Sequence, residues 1–114
     1  MRKYEFKPWG SFINILDEKY TKVKEICIKS GEAPSYQYHH KRSEIWVIVK
    51  GTAEVKLDGE VKTYGQGDVI HIPVKSKHQA KNIGDDDLVV IEVQLGEDFG
   101  EDDIVRLEDK YGWV

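Results

Sequence analysis

Gln37 and His39 stand two residues apart, Glu44 follows closely, and His78 lies well downstream. Two imidazoles, a carboxylate and an amide oxygen make a mixed nitrogen and oxygen donor set, of the kind that takes zinc, manganese, iron, cobalt or nickel. The set serves only if the backbone gathers it. If residues 35–39 are extended, Ser35, Gln37 and His39 share one face, while Tyr36, Tyr38 and His40 point the other way. A turn at Lys41-Arg42-Ser43 followed by an antiparallel return brings Glu44 back toward His39. His78 must then arrive from a later strand, just after Pro73 and a short loop.

Other side chains could complete such a site. Arg42 lies in the turn between His39 and Glu44, where a guanidinium can grip phosphate or substrate through two parallel hydrogen bonds; a solvated turn arginine is the other reading. Glu92 and Gln94 fall on one face of an otherwise apolar run, so they need partners or a wet cavity. Glu92 is therefore the candidate general base, with a structural hydrogen bond or an exposed strand end as its alternative. Lys7 and Arg106 read first as structural or solvated cations and second as phosphate contacts. His71 and His40 read as packed, surface or supporting histidines. The acidic stretch from Glu97 to Asp103 lacks the ligand spacing of a calcium loop and reads as a solvated loop and helix start. Trp9, Trp46 and Trp113 read as anchors; alternation puts Trp46 on the Glu44 face.

The elements that must position these residues are short strands. Val23–Lys29 and Glu44–Val49 are rich in β-branched and aromatic residues, and Thr52–Leu57 alternates strictly. Asp58-Gly59 then leads into Glu60–Tyr64, a strong hairpin signal because both residues tolerate positive φ. Val69–Ile72 is stopped by Pro73, and Leu88–Leu95 is the longest apolar run, a buried strand. Glu101–Tyr111 is predicted as a short helix, with Asp102 and Asp103 in its first turn where carboxylates suit the helix dipole. Many short strands with regular turns predict an all-β sandwich or barrel, whose mouth suits a small-molecule site.

Composition narrows the function classes. The chain has 114 residues, the size of one ordinary domain, so residues 1–114 are expected to form a single domain. Seventeen basic against 21 acidic residues give a net charge of −4, which argues against general nucleic-acid binding. Cys27 is the single cysteine, flanked by isoleucines, so it reads as an inert thiol and excludes an intrachain disulfide. The N-terminus shows no signal-peptide pattern and no run approaches a membrane span, so the expected compartment is the cytoplasm and no membrane partner is expected.

Two motifs give the chain a family resemblance. Gly31, Gln37, His39, Glu44 and Gly51 fall at the spacing of the first cupin motif, with Gln37 in place of the usual first histidine. Gly67, Pro73, His78 and Asn82 match the second, with Lys75 where a glycine is usual. The chain also resembles the type II mannose-6-phosphate isomerase domain through KPWGSF (Lys7–Phe12), the segment Ser35–Glu60, IHIPVKSKHQAKN (Ile70–Asn82), IEVQLG (Ile91–Gly96) and GEDDIVRLEDKYG (Gly100–Gly112). It departs from that family at Lys7, Phe12, Lys41 and Trp113.

The resemblance implies a cupin double-stranded β-helix, a jelly-roll barrel, with a short C-terminal helical segment. It implies one divalent metal ion (zinc, manganese, cobalt, nickel or iron) on Gln37, His39, Glu44 and His78. Arg42 matches an arginine of the family motif. The implied activity interconverts mannose 6-phosphate and fructose 6-phosphate, with a small-molecule sugar phosphate as partner and a homodimer as assembly. Two alternatives stay open: a non-catalytic metal-binding cupin that holds a sugar or nucleotide-sugar, and a metal-dependent oxygenase.

Overall fold

The computed structural model describes residues 3–100 and 103–108. They form eleven strands: β1 (Tyr4–Lys7), β2 (Gly10–Asp17), β3 (Thr21–Ile28), β4 (Tyr36–His39), β5 (Arg42–Lys50), β6 (Ala53–Leu57), β7 (Glu60–Tyr64), β8 (Val69–Ile72), β9 (His78–Asn82), β10 (Leu88–Gly96) and β11 (Ile104–Glu108). Among the described residues no helix is long and apolar enough to cross a membrane.

The strands make two antiparallel sheets. One has the order β1-β2-β3-β10-β5-β8, the other β11-β4-β9-β6-β7. Consecutive strands repeatedly switch sheets, as a jelly-roll requires. The apolar run β10 is a central strand, paired antiparallel on both edges, with β3 and with β5. The hairpin expected at Asp58-Gly59 joins β6 and β7, and the two residues take φ of 48° and 86°. Both central residues of such a two-residue turn need positive φ so that the turn twist matches the strands.

The inner faces of the two sheets enclose the core. Ile28, Trp46, Ile48, Ile70, Ile72, Leu88 and Val90 come from one sheet, and Ala53, Val55 and Ala80 from the other. Alternation is strict along β5, where Arg42, Glu44, Trp46 and Ile48 are buried, and along β10, where Leu88, Val90, Glu92 and Gln94 are buried. The register sets Val90 opposite Ile48, Glu92 opposite Trp46 and Gln94 opposite Glu44. The barrel interior is therefore apolar at one end and polar at the other. Asn82 closes the apolar end: its amide donates to the carbonyls of Ile28 (2.8 Å) and Asp86 (2.7 Å) and its oxygen accepts from Gly84 N–H (2.9 Å).

Among the described residues of the helix predicted at Glu101–Tyr111, a strand stands in its place. Ile104–Glu108 is an edge strand paired antiparallel with β4, Ile104 opposite His39 and Arg106 opposite Gln37. The β-branched pair Ile104-Val105 favours the strand, and β4 offers an unpaired edge; together they override the helix-like charge pattern of Asp102 and Asp103. Residues 101, 102 and 109–111 of that expected helix, and Trp113, lie outside the described residues.

Candidate metal centre

Three strands deliver the polar cluster: β4 ends on His39, β5 carries Glu44 one alternation from its start, and β9 starts on His78. His39 Nε2 lies 3.1 Å from Glu44 Oε2, and His78 Nε2 lies 3.6 Å from Glu44 Oε1. One ligand atom from each of the three falls within 4.8 Å of the others. All three side chains are about as buried as the core isoleucines. Gln37 sits opposite His78 in the β4–β9 register and lines the same cavity, where its Oε1 accepts from Ser35 Oγ at 3.2 Å.

What holds the far nitrogens of the two imidazoles decides how they face the cluster. His39 Nδ1 lies 3.2 Å from the Asp103 carbonyl, and His78 Nδ1 lies 2.9 Å from the Ser76 carbonyl. A carbonyl can only accept, so each Nδ1 carries the proton and each Nε2 turns a lone pair into the cluster. His78 Nε2 is buried there with no hydrogen-bond partner. Burial holds the His78 imidazole below its usual pKa, against the opposing pull of Glu44, so the ring is neutral near pH 7. Burial alone would push the Glu44 carboxyl up; its contacts with His39, His78 and Glu92 reverse this and hold it well below the usual carboxylate range. Two imidazoles facing an ionised carboxylate, one with an orphaned nitrogen, fit a borderline divalent cation.

Arg42 is not in a solvated turn. It is the first residue of β5, only 4% exposed, and points inward. Its Nε donates to Glu44 Oε2 and its Nη2 to His39 Nε2, both at 3.3 Å. Gly96 allows this approach: it lies opposite Arg42 at φ 154°, and a Cβ there would run into the Lys41 carbonyl.

Glu92 forms a second buried carboxyl beside the first. Trp46 Nε1 is shared between Glu44 Oε1 (3.0 Å) and Glu92 Oε1 (3.2 Å), and Gln94 Nε2 donates to Glu92 Oε2 (2.8 Å). Burial, then the Glu44 charge and the hydrogen bond between the two carboxyls, push the Glu92 pKa up to about 8. Gln94 Oε1 is buried without a hydrogen-bond partner. Above the polar end opens a cavity of about 130 Å³, lined by Glu92 and Gln94, by the cations Lys7, Lys24, Arg42 and Arg106, and by Trp9.

His71 and His40 are exposed and stand apart from the cluster, and burial with Asp87 nearby pushes the Cys27 thiol up. Asp103 is the residue that sequence reasoning missed. The acidic stretch reads as solvated, yet Asp103 is buried and its two carboxyl oxygens accept from the backbone N–H groups of His40 and Lys41, each at 3.0 Å. The β-branched pair just after it is the one local signal of its place in a sheet.

A jelly-roll barrel with this cluster between its sheets defines a cupin. An RmlC-like cupin from Shewanella frigidimarina superposes with a TM-score of 0.76 at 20% identity, over 89% of this chain and 87% of its own. The capsular polysaccharide assembling protein CapF of Staphylococcus aureus gives a TM-score of 0.82 at 25% identity, over 96% of this chain and 33% of its own. Within the cupins, the chain belongs to the family described as mannose-6-phosphate isomerase C-terminal, whose sequence profile matches residues 1–109. It is 44% identical over its whole length to the mannose-1-phosphate guanylyltransferase ManC of Salmonella typhimurium, covering 24% of that protein. It is 43% identical to the alginate biosynthesis protein AlgA of Pseudomonas putida, over 94% of this chain and 22% of that protein. The chain thus spans about a quarter of the length of these curated relatives.

Proposed function

We propose that this chain is a metal-dependent sugar-phosphate isomerase that interconverts mannose 6-phosphate and fructose 6-phosphate. The observation that carries the reading is Glu92. A buried carboxyl with its pKa raised to about 8 lines the same cavity as four cations and lies beside the His39, Glu44 and His78 cluster. Membership in the isomerase family supports it.

The reaction moves a proton between C2 and C1 of the sugar through an enediol. A divalent ion, when bound, polarises the substrate carbonyl and stabilises charge on its oxygen; His39, Glu44, His78 and Gln37 would hold it. Glu92, once deprotonated, takes the carbon-bound proton and returns it to the neighbouring carbon. A pKa near working pH suits both strokes, because the group must first accept and then release. Trp46 Nε1 and Gln94 Nε2 each hold one Glu92 oxygen, so the carboxyl is oriented before substrate arrives. Lys7, Lys24 and Arg106 supply positive potential for a phosphate dianion.

The test is to purify the chain, identify its metal, and follow mannose 6-phosphate conversion with and without chelator. Turnover that chelator abolishes and the metal restores is expected; no turnover with any common divalent ion would sink the reading. One observation favours a second reading, a non-catalytic cupin that binds a sugar or nucleotide-sugar. The Arg42 guanidinium already satisfies His39 Nε2 and Glu44 Oε2, so the chain carries its own cation at the cluster. Sugar-phosphate binding that survives chelation, without turnover, would select this second reading.

A further inference from the structure

The His39 imidazole has two possible tautomers, and only one turns a lone pair into the cluster. With the proton on Nε2, the ring could donate to Glu44 Oε2 at 3.1 Å, a strong charge-assisted bond in a buried site. That tautomer would leave no lone pair for a cation. Two contacts oppose it: Arg42 Nη2, 3.3 Å from His39 Nε2, and, from outside the cluster, the Asp103 carbonyl, 3.2 Å from His39 Nδ1. Asp103 sits just before β11, at the edge of the sheet, and is 64 residues away in the chain. Its carboxylate is clamped to the backbone N–H groups of His40 and Lys41, the residues that turn the chain from His39 into Arg42. One residue therefore grips the turn with its side chain and the ligand ring with its backbone.

We propose that Asp103 is a positioning residue that sets the His39 tautomer, and that docking of β11 and cation binding at the cluster are linked through it. The proposal rests on the metal reading above. Ile104 and Arg106 of the same strand line the cavity, so the segment that orients the ligand is also a wall of the site. Linkage makes the effect reciprocal: a docked β11 favours the cation, and the cation favours a docked β11.

The experiment uses the full chain, first metal-free and then titrated with Zn²⁺ and Co²⁺, as wild type, Asp103→Ala, Asp103→Asn and His78→Ala. Ring ¹⁵N shifts of His39 report the tautomer, amide exchange of residues 104–108 reports docking, and circular dichroism confirms the fold. In the wild type, His39 is expected to be protonated at Nδ1, and metal is expected to slow exchange in β11. Asp103→Ala is expected to shift the proton toward Nε2 and to weaken metal binding about 10- to 100-fold, the usual cost of losing the partner that orients a ligating histidine. Asp103→Asn keeps one acceptor for the turn and should fall between the two. His78→Ala should lose metal while leaving the His39 tautomer unchanged.

An unchanged His39 tautomer in Asp103→Ala, or unchanged metal affinity there, overturns the proposal, because strand pairing or Arg42 then suffices. A wild-type chain that binds neither ion overturns the metal reading instead, and the tautomer in the metal-free chain still decides the role of Asp103. If Asp103→Ala does not fold, Asp103→Asn carries the same comparison.

Discussion

The two ends of the barrel interior are built from the same strands and behave oppositely. On β5 the inner face runs from Arg42 and Glu44 through Trp46 to Ile48; on β10 it runs from Leu88 and Val90 to Glu92 and Gln94; on β9 it passes from His78 to Ala80. The apolar end gains stability from each buried methylene. The polar end holds two carboxyls within hydrogen-bonding reach of one indole N–H, a buried arginine, and two orphaned atoms, His78 Nε2 and Gln94 Oε1. An unsatisfied buried polar atom costs about 1–3 kcal/mol. The contrast teaches that the apolar end holds the barrel closed while the polar end is held in a state that a ligand or cation would relieve.

Substitutions at the two ends should separate these roles. His78→Ala should produce the largest change, loss of stoichiometric metal, read by elemental analysis; unchanged metal content would refute the ligand assignment. Glu92→Gln keeps the shape but removes the carboxylate, so under the proposed isomerase function kcat should fall about 10²- to 10⁴-fold with little change in KM. A loss confined to KM would make Glu92 a binding residue instead. Ile48→Ala, at the apolar end, should lower unfolding free energy by about 2–5 kcal/mol while metal affinity stays near wild type. If metal affinity falls equally, the two ends are not separable.

A pH effect of intermediate size also discriminates between them. Glu92 has a folded pKa raised to about 8, so its share of stability is complete below its ordinary value and is lost as pH rises toward 8. His78 has a lowered folded pKa, so it acts in the opposite sense, but only below its ordinary value of 6.5. Between pH 6.5 and 8 the metal-free chain should therefore lose stability with rising pH. Thermal melts of Glu92→Gln should be flatter there; an equal slope would assign the effect elsewhere. His71→Ala, on the exposed face of β8, should give the smallest effect, within about 0.5 kcal/mol of wild type.

Much of this contrast is legible along the chain. Alternation from Glu44 to Ile48 marks one inner face, and the polar interruption at Glu92 and Gln94 marks where β10 leaves the core. Asp58-Gly59 marks its own turn because positive φ is a local demand. Three strands escape that reading. β1 and β2 mix aromatic and charged residues at a sheet edge, and β9 carries the polar HQAKN pattern. β11 is misread as a helix because its charges satisfy a local rule while its stability comes from pairing with β4.

By itself the sequence determined the donor types, His39, Glu44 and His78 with Gln37 beside them, and the strand periodicity that makes Gln37 and His39 face one way. Both are properties of neighbours along the chain, where alternation and turn chemistry act. Only the tertiary structure decided that His78 meets Glu44 across two sheets, that Arg42 turns inward onto the same atoms, and that Asp103 fastens His39 from the far end of the chain. The His78 and Asp103 contacts join residues too far apart for a local signal, and although Arg42 is near its partners in the chain, only the closed barrel, by excluding water, favours its inward turn.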